Sequence, residues 1–338
     1  MKLILPSLLL LLGASAAPPR AGSFRQSARH IAQSADTNTQ EMFDFDTTDT
    51  DDDTNTIHVF VLPHSHDDPG WVRTSSQYFK FIVSPMYTTV VEALNARPAR
   101  KFQVVEIVYF KQWFEKVADD QQRKLARRLV AAGQLSFAVG GWVMPDEATT
   151  DLPDLVETMS QGQQWIYETF AGTRVRHGFQ VDPFGASSTF ATITAKLGFS
   201  SHLLSRINYY DKGWMQRHKQ LEFMWRPSPS LHASPQKLEI FTHVMDQFQY
   251  SAPGIPVAQQ LKYLCSPNNT HCPGGGFFWD GDDSQPAWYW AQQAKEQGFN
   301  VYPGVNASNV AFYADFMVAN ARQRAQWFAT PNLLWPWG

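Results

Sequence analysis

The sequence predicts an α/β fold on a parallel sheet, either open or closed into a barrel. Three observations carry that prediction. Short apolar, β-branched runs alternate with segments of helical period from Thr56 onward. The runs look buried, as strands covered on both faces by helices are. The helical segments stop at Gly133, Gly172 and Gly198, residues suited to closing a helix. In folds of this kind chemistry collects at the carboxyl ends of the strands.

The elements follow in order. Residues 1–17 read as a secretory signal: Met1-Lys2, an apolar stretch to Leu12 too short to span a bilayer, and the small residues Gly13 to Ala17. Residues 18–56 form a polar, acidic leader, disordered by composition, and a solvated tail accounts for Asp44 to Asp53 better than a calcium site does. The α/β domain occupies 57–338. Its first strand is Ile57 to Leu62, and a helix over Ser84 to Asn95 is capped by Ser84 with Pro85 at its first position. Phe102 to Val108 is the next apolar run. Asp119 to Ala132 places Leu125, Leu129 and Val130 on one helical face, and Leu135 to Val139 is a strand halted by Gly140-Gly141. Leu155 to Phe170 is a helix, His177 to Val181 a strand, Thr189 to Leu197 a helix, and Leu203-Leu204 lies in a short strand. Beyond Trp214 the alternation weakens. Leu238 to Val244 reads as a strand, Tyr250 to Pro303 as loop, Asn309 to Phe328 as one helix and Leu333 to Trp335 as a final strand. An apolar strand directly after a helix is an unusual place for a domain to stop, which predicts a truncated product or an incomplete gene model.

Composition bounds the function. With 338 residues and 43% apolar content the chain holds one large domain or two medium ones. A net charge of -3 argues against nucleic acid as a partner, and no later segment is long and apolar enough for a stable membrane span. The 12 Trp fit either a carbohydrate-stacking cleft or an aromatic core. Cys265 and Cys272, close together in a Pro/Asn/Gly-rich loop, predict a small local disulfide, and Asn268 and Asn306 head glycosylation acceptors.

The chemistry-bearing residues lie where strands end. His64-Ser65-His66-Asp67-Asp68-Pro69-Gly70-Trp71 follows the first strand. Side chains at i and i+2 of an extended chain share a face, so His66 and Asp68 converge, with His64 on the same side. Nitrogen and oxygen ligands in that mix suit zinc or a similar divalent ion; a polar loop of ordinary histidines is the alternative. Asp146 and Glu147 follow the third strand, where helix capping or a solvated pair would also explain them. Asp182 follows the fourth, where Asp-Pro also starts turns. Arg206, equally a surface ion-pair partner, follows the fifth, and the Tyr250 region follows the strand ending at Val244. If the sheet closes, Asp182 falls near His66 and Asp68.

The ordered series HSHDDPGW (His64 to Trp71), GGWVMPDEA (Gly140 to Ala148), VDPFGAS (Val181 to Ser187), SRINY (Ser205 to Tyr209), FTHVMDQFQY (Phe241 to Tyr250) and LLWPWG (Leu333 to Gly338) resembles the glycoside hydrolase family 38 α-mannosidases. The resemblance covers Ile57 to Gly338 and corresponds to the N-terminal catalytic part of a longer protein. It implies a seven-stranded parallel β/α barrel-like catalytic domain, incomplete on its C-terminal side, holding one Zn2+. By position, His66 and Asp68 match the first two zinc ligands, and Asp182 matches a residue that is both third ligand and nucleophile. Trp71 and Phe184 match aromatic walls of the sugar pocket, Arg206 an arginine beside the nucleophile, and Tyr250 a substrate contact. His64 matches no ligand and falls outside the ligand set as a support. A retaining glycosidase uses two carboxyl groups about 5–5.5 Å apart, one nucleophile and one acid/base. By the family pattern, the acid/base carboxylate and a fourth, histidine ligand fall beyond Gly338, and Asp151 replaces a histidine. The implied substrates are α-mannoside glycans, met in the secretory pathway as a secreted or lysosomal protein, with homo-oligomerisation open for the longer protein. A metal-dependent polysaccharide deacetylase and an inactive sugar-binding paralogue are the rival readings.

Overall fold

The computed structural model describes residues 11–15, 56–71, 73–228, 230, 238–246 and 310–338. Tyr250, Cys265, Cys272 and both glycosylation acceptors lie outside them. The described residues fall into two compact units, 62–246 with 327–329, and 11–15, 56–61, 310–326 and 330–338.

In the second unit, β1 (Leu11–Ser15) pairs antiparallel with β2 (Thr56–Pro63), Gly13 opposite His58. The sheet order places β2 beside β9 (Asn332–Trp337), and His58 N donates to Pro331 O at 2.8 Å. A helix, Val310–Ala325, precedes β9, and its Arg324 lies 5.3 Å from the Trp335 ring. Among the described residues no helix is long and apolar enough to cross a membrane.

The first unit holds the β/α alternation that the sequence predicts. Just past β2, His64 bridges in parallel to Gln103 in β3 (Phe102–Val104), which pairs in parallel with β4 (Leu135–Phe137). Val139 N donates to His177 O at 2.8 Å, linking the end of β4 to β5 (His177–Gln180). There β5, β6 (Ser201–Leu204) and β8 (Ile240–Val244) run parallel, with β7 (Glu222–Trp225) antiparallel at the edge. Strands β4, β5 and β6 are short and mostly buried.

Several boundaries differ from the expected ones, each for a local reason. Ser84 is not a cap. The chain enters helically at α1 (Ser75–Tyr78), passes a π-turn over Phe79–Val83 and continues into α2 (Ser84–Ala96). The true cap is Thr74, whose hydroxyl accepts from Gln77 N while the Gln77 side chain accepts from Thr74 N. The run Phe102 to Val108 is strand only to Val104, and α3 (Ile107–Lys116) starts soon after. Ile107, Phe110, Trp113 and Phe114 are buried, a helical spacing hidden by the β-branched start of the segment. Helix α4 (Asp120–Ala131) opens on the Asp119–Gln122 capping box, and α5 (Leu152–Thr169) starts three residues earlier than Leu155, with Asp151 at its cap position. The helix α6 is Ser188–Lys196, and α7 (Tyr209–His218) lies where the sequence predicts no element.

Much of the aromatic content is core. Phe110 meets the rings of Tyr87, Phe137, Trp165 and Phe170 at centroid distances of 5.1 to 6.2 Å. Such edge-to-face and offset contacts add to burial by about 0.5–1.5 kcal/mol each. Helix α5 closes on the β4 end through a glycine: a Cβ on Gly162 would lie 2.2 Å from Gly140 O. Gly140 has φ 67°, and Trp142 N donates to Thr158 O on α5 at 2.8 Å. That contact fixes the loop after β4 at the strand ends, where the site lies.

Candidate metal centre

The site is built on loops held by main-chain hydrogen bonds. Ser65 N donates to Gln103 O at 3.0 Å, beside the isolated bridge between His64 and Gln103. The chain then turns at Gly70, which has φ 109° and whose N–H donates to Asp68 O at 2.7 Å. From α3, the Tyr109 hydroxyl sits 3.3 Å from both Asp68 O and Ser75 O, holding that turn from below. On the far side, Ser205 N donates to Gln180 O at 3.2 Å, which keeps the loops after β5 and β6 together.

These loops bring His66, Asp68 and Asp182 together, with ligand-type atoms all within 4.8 Å of one another. His66 Nε2 lies 3.5 Å from Asp182 Oδ2 and 3.8 Å from Asp68 Oδ1. Its Nδ1 lies 3.6 Å from Oε1 of Glu106, the residue preceding α3 and almost fully buried. Three carboxylates therefore surround one imidazole. Burial alone would lower the His66 pKa, but contacts with Asp182, Glu106 and Asp68 outweigh it and raise it to about 10. A pocket that holds a proton this firmly is one that favours a cation. One imidazole nitrogen and two carboxylate oxygens converging on a point fit a divalent ion such as zinc.

The remaining residues divide between this cluster and elsewhere. Arg206 pairs with Asp182 Oδ1, so the Asp182 carboxylate faces His66 with one oxygen and a guanidinium with the other. Asp182 is thus more than a turn former, and Arg206 is tied to the cluster rather than to the outer surface. The Phe184 ring lies 5.9 Å from the Arg206 guanidinium carbon. Trp71 and Phe184 are exposed, 79% and 70%, and neither is core. His64 stays out of the ligand group; it is buried edge-on against Phe179, with ring centroids 4.8 Å apart. Asp146 turns the chain locally, accepting from Ala148 N at 2.9 Å and from the Thr149 hydroxyl.

Two residues in the neighbourhood had roles that sequence reasoning missed. Glu106 lies inside an apolar run, where a lone acid after a strand and before a helical pattern is the available signal. Glu147 is neither a solvated partner nor a cap for α5. It is buried and accepts from Gln180 Nε2 at 2.8 Å and Ser187 N at 2.5 Å, and burial pushes its pKa up. Ser187 caps α6, so Glu147 ties the loop after β4 to the end of the loop that carries Asp182.

Residues 56–338 match the family model described as Glycosyl hydrolases family 38 N-terminal domain. The chain is 42% identical over 287 residues to the epididymis-specific alpha-mannosidase of Homo sapiens, covering 83% of this chain and 26% of that protein. The Sus scrofa protein of the same name is 38% identical over 283 residues, covering 83% and 25%. Alpha-mannosidase 2 of Homo sapiens is 33% identical over 286 residues, covering 85% and 23%. The chain spans about a quarter of the length of these relatives. Among solved structures, an alpha-mannosidase from Enterococcus faecalis V583 aligns with a TM-score of 0.51 at 14% identity, covering 83% of this chain and 24% of that one, which is a likeness of fold.

Proposed function

The chain belongs to glycosyl hydrolase family 38, and from that premise we propose that it is the N-terminal catalytic portion of a zinc-dependent, retaining α-mannosidase. Its substrates are terminal α-mannosyl residues of N-glycans and related oligosaccharides. The observation that carries this reading is the convergence of His66, Asp68 and Asp182 in a pocket that concentrates negative charge around one imidazole. The proposed domain is a seven-stranded barrel-like sheet, of which β3 with β4, and β5 with β6 and β8, are parallel parts.

In this reading His66, Asp68 and Asp182 hold the metal, and Asp182 is also the nucleophile. When bound, the ion supplies positive charge that keeps carboxylates ionised and a Lewis-acidic point able to chelate the cis 2- and 3-hydroxyls of mannose. The chain's own side chains do the rest. Asp182 Oδ1 is held by Arg206 in a charge-assisted pair that fixes the carboxylate's orientation. Trp71 and Phe184 offer exposed aromatic faces to the C–H side of a sugar ring. Tyr250 is assigned a substrate contact. Residues 1–17 direct the protein into the secretory pathway, to the lysosomal lumen or outside the cell, with Cys265 and Cys272 forming a local disulfide.

The test is hydrolysis by the full-length protein loaded with zinc. Mannose should be released from 4-nitrophenyl α-mannoside with retained configuration, and Asp182→Asn should abolish release while leaving the fold intact. Zinc-loaded, folded wild-type protein that releases no mannose would refute the assignment.

A further inference from the structure

We infer that Glu106 is a positioning residue for the metal centre, accepting the Nδ1 proton of His66 and so leaving Nε2 as the nitrogen that faces the metal. The inference rests on the zinc reading of His66, Asp68 and Asp182 and extends it to a residue outside that set.

The geometry has four parts. First, the two ring nitrogens of His66 face different partners: Nε2 points at Asp182 and Asp68, and Nδ1 at Glu106. Second, Glu106 is anchored from behind. Val105 N donates to Ser65 Oγ at 3.0 Å, so the Ser65 proton is left to donate to Glu106 Oε2, at 3.3 Å. Third, that commitment leaves Oε1 turned to Nδ1 at 3.6 Å, and Oε1 has no hydrogen bond among the described residues. A buried carboxylate oxygen without a donor is unfavourable, so this arrangement is explained by a donor it is poised to meet. Fourth, Glu106 stands at the start of α3, where the helix dipole favours a negative charge, and Tyr109 one turn later holds Asp68 O. The same helix therefore sets the height of the loop and the tautomer of its histidine. A small rotation of His66 toward the metal brings Nδ1–H within bonding distance of Oε1. Histidine ligands are commonly held this way, and losing the outer partner weakens metal affinity about 10- to 100-fold.

The test uses zinc competition against a chromophoric chelator on wild type, Glu106→Gln, Ser65→Ala and His66→Ala, with thermal melting in EDTA as the fold control. Glu106→Gln is expected to bind zinc 10- to 100-fold more weakly while its metal-free melting stays close to wild type. Ser65→Ala should show a smaller loss in the same direction. In 15N-histidine-labelled, zinc-loaded wild type, His66 should show Nδ1 protonated and Nε2 metal-bound, a readout that needs no variant and stands even if Glu106→Gln fails to fold. The inference is overturned by zinc bound through Nδ1, or by folded Glu106→Gln binding zinc within twofold of wild type while His66→Ala is weakened. If His66→Ala itself binds zinc as wild type does, the metal reading fails and takes this inference with it.

Discussion

Removing the metal will expose a pH dependence that belongs to His66. The perturbation is chelation, with His66→Asn as the comparison. In the folded, metal-free chain the burial of His66 is outweighed by Asp182, Glu106 and Asp68, and its pKa rises from 6.5 to about 10. The folded state thus binds this proton more tightly than the unfolded state does. The resulting stability is fully present below pH 6.5 and is lost as pH rises through about 10. At about 1.4 kcal/mol per pH unit across that window, the loss amounts to roughly 5 kcal/mol. Urea unfolding in EDTA, followed from pH 6 to pH 10, should show the wild-type advantage over His66→Asn shrinking by that order. Saturating zinc should abolish the decline, because metal binding releases the proton that pH would otherwise remove. Parallel stability curves for the two metal-free proteins would refute the reasoning, since they would mean that the three carboxylates do not act on His66.

Two further perturbations test how the strand-end loops are held. Gly162→Ala places a Cβ where Gly140 O stands 2.2 Å away, so α5 must retreat from the loop after β4, at a cost of about 1–3 kcal/mol; an unchanged urea midpoint would show that this contact is slacker than described. Glu147→Gln sets an amide N–H against either Ser187 N–H or Gln180 Nε2–H, and flipping Gln180 to compensate would strip Pro145 O of its donor at 2.9 Å. It should destabilise by about 1–3 kcal/mol and lower turnover of the full-length enzyme by disturbing the loop that carries Asp182; wild-type values for both would count against the proposed bracing.

The α/β alternation was legible because each helix carries a clear stop and each strand a short apolar run. What the sequence obscured were places where two periods overlap. Val104-Val105 and Ile107-Val108 look like one strand, yet the backbone leaves the ladder once Val105 N is taken by Ser65 Oγ, and the helix begins on Ile107 N donating to Gly141 O at 3.3 Å. A side chain and a distant loop decide that boundary, and neither is local in sequence. The π-turn at Phe79–Val83 has the same character: it lets α1 run into α2 with no cap, so the Ser-Pro signature at Ser84 misled while Thr74 and Gln77 carried the usable one. The 12 Trp could not be apportioned between core and cleft from composition. Trp113 and Trp165 are buried, whereas Trp71 is exposed beside a Pro-Gly turn, and only packing separates them.

The site divides along the same line. His66 and Asp68 are two residues apart, so their convergence follows from backbone geometry alone, and Asp182 stands at a strand end that alternation predicts. Glu106 is different in kind. It reaches His66 because the chain just past β2 bridges to β3 in one register, His64 opposite Gln103. Two residues beyond the first and three beyond the second then arrive at the same height above the sheet. A one-residue slip in that pairing would carry Glu106 away from Nδ1 and turn alternate side chains to the other face. The parallel bridge between His64 and Gln103 is therefore what aligns the imidazole, and the Ser65 N to Gln103 O bond, at 3.0 Å, is the rung that carries it. A weakened rung should loosen the metal centre before it loosens the core, since the aromatic cluster around Phe110 packs on α2, α3, β4 and α5 without using that bond.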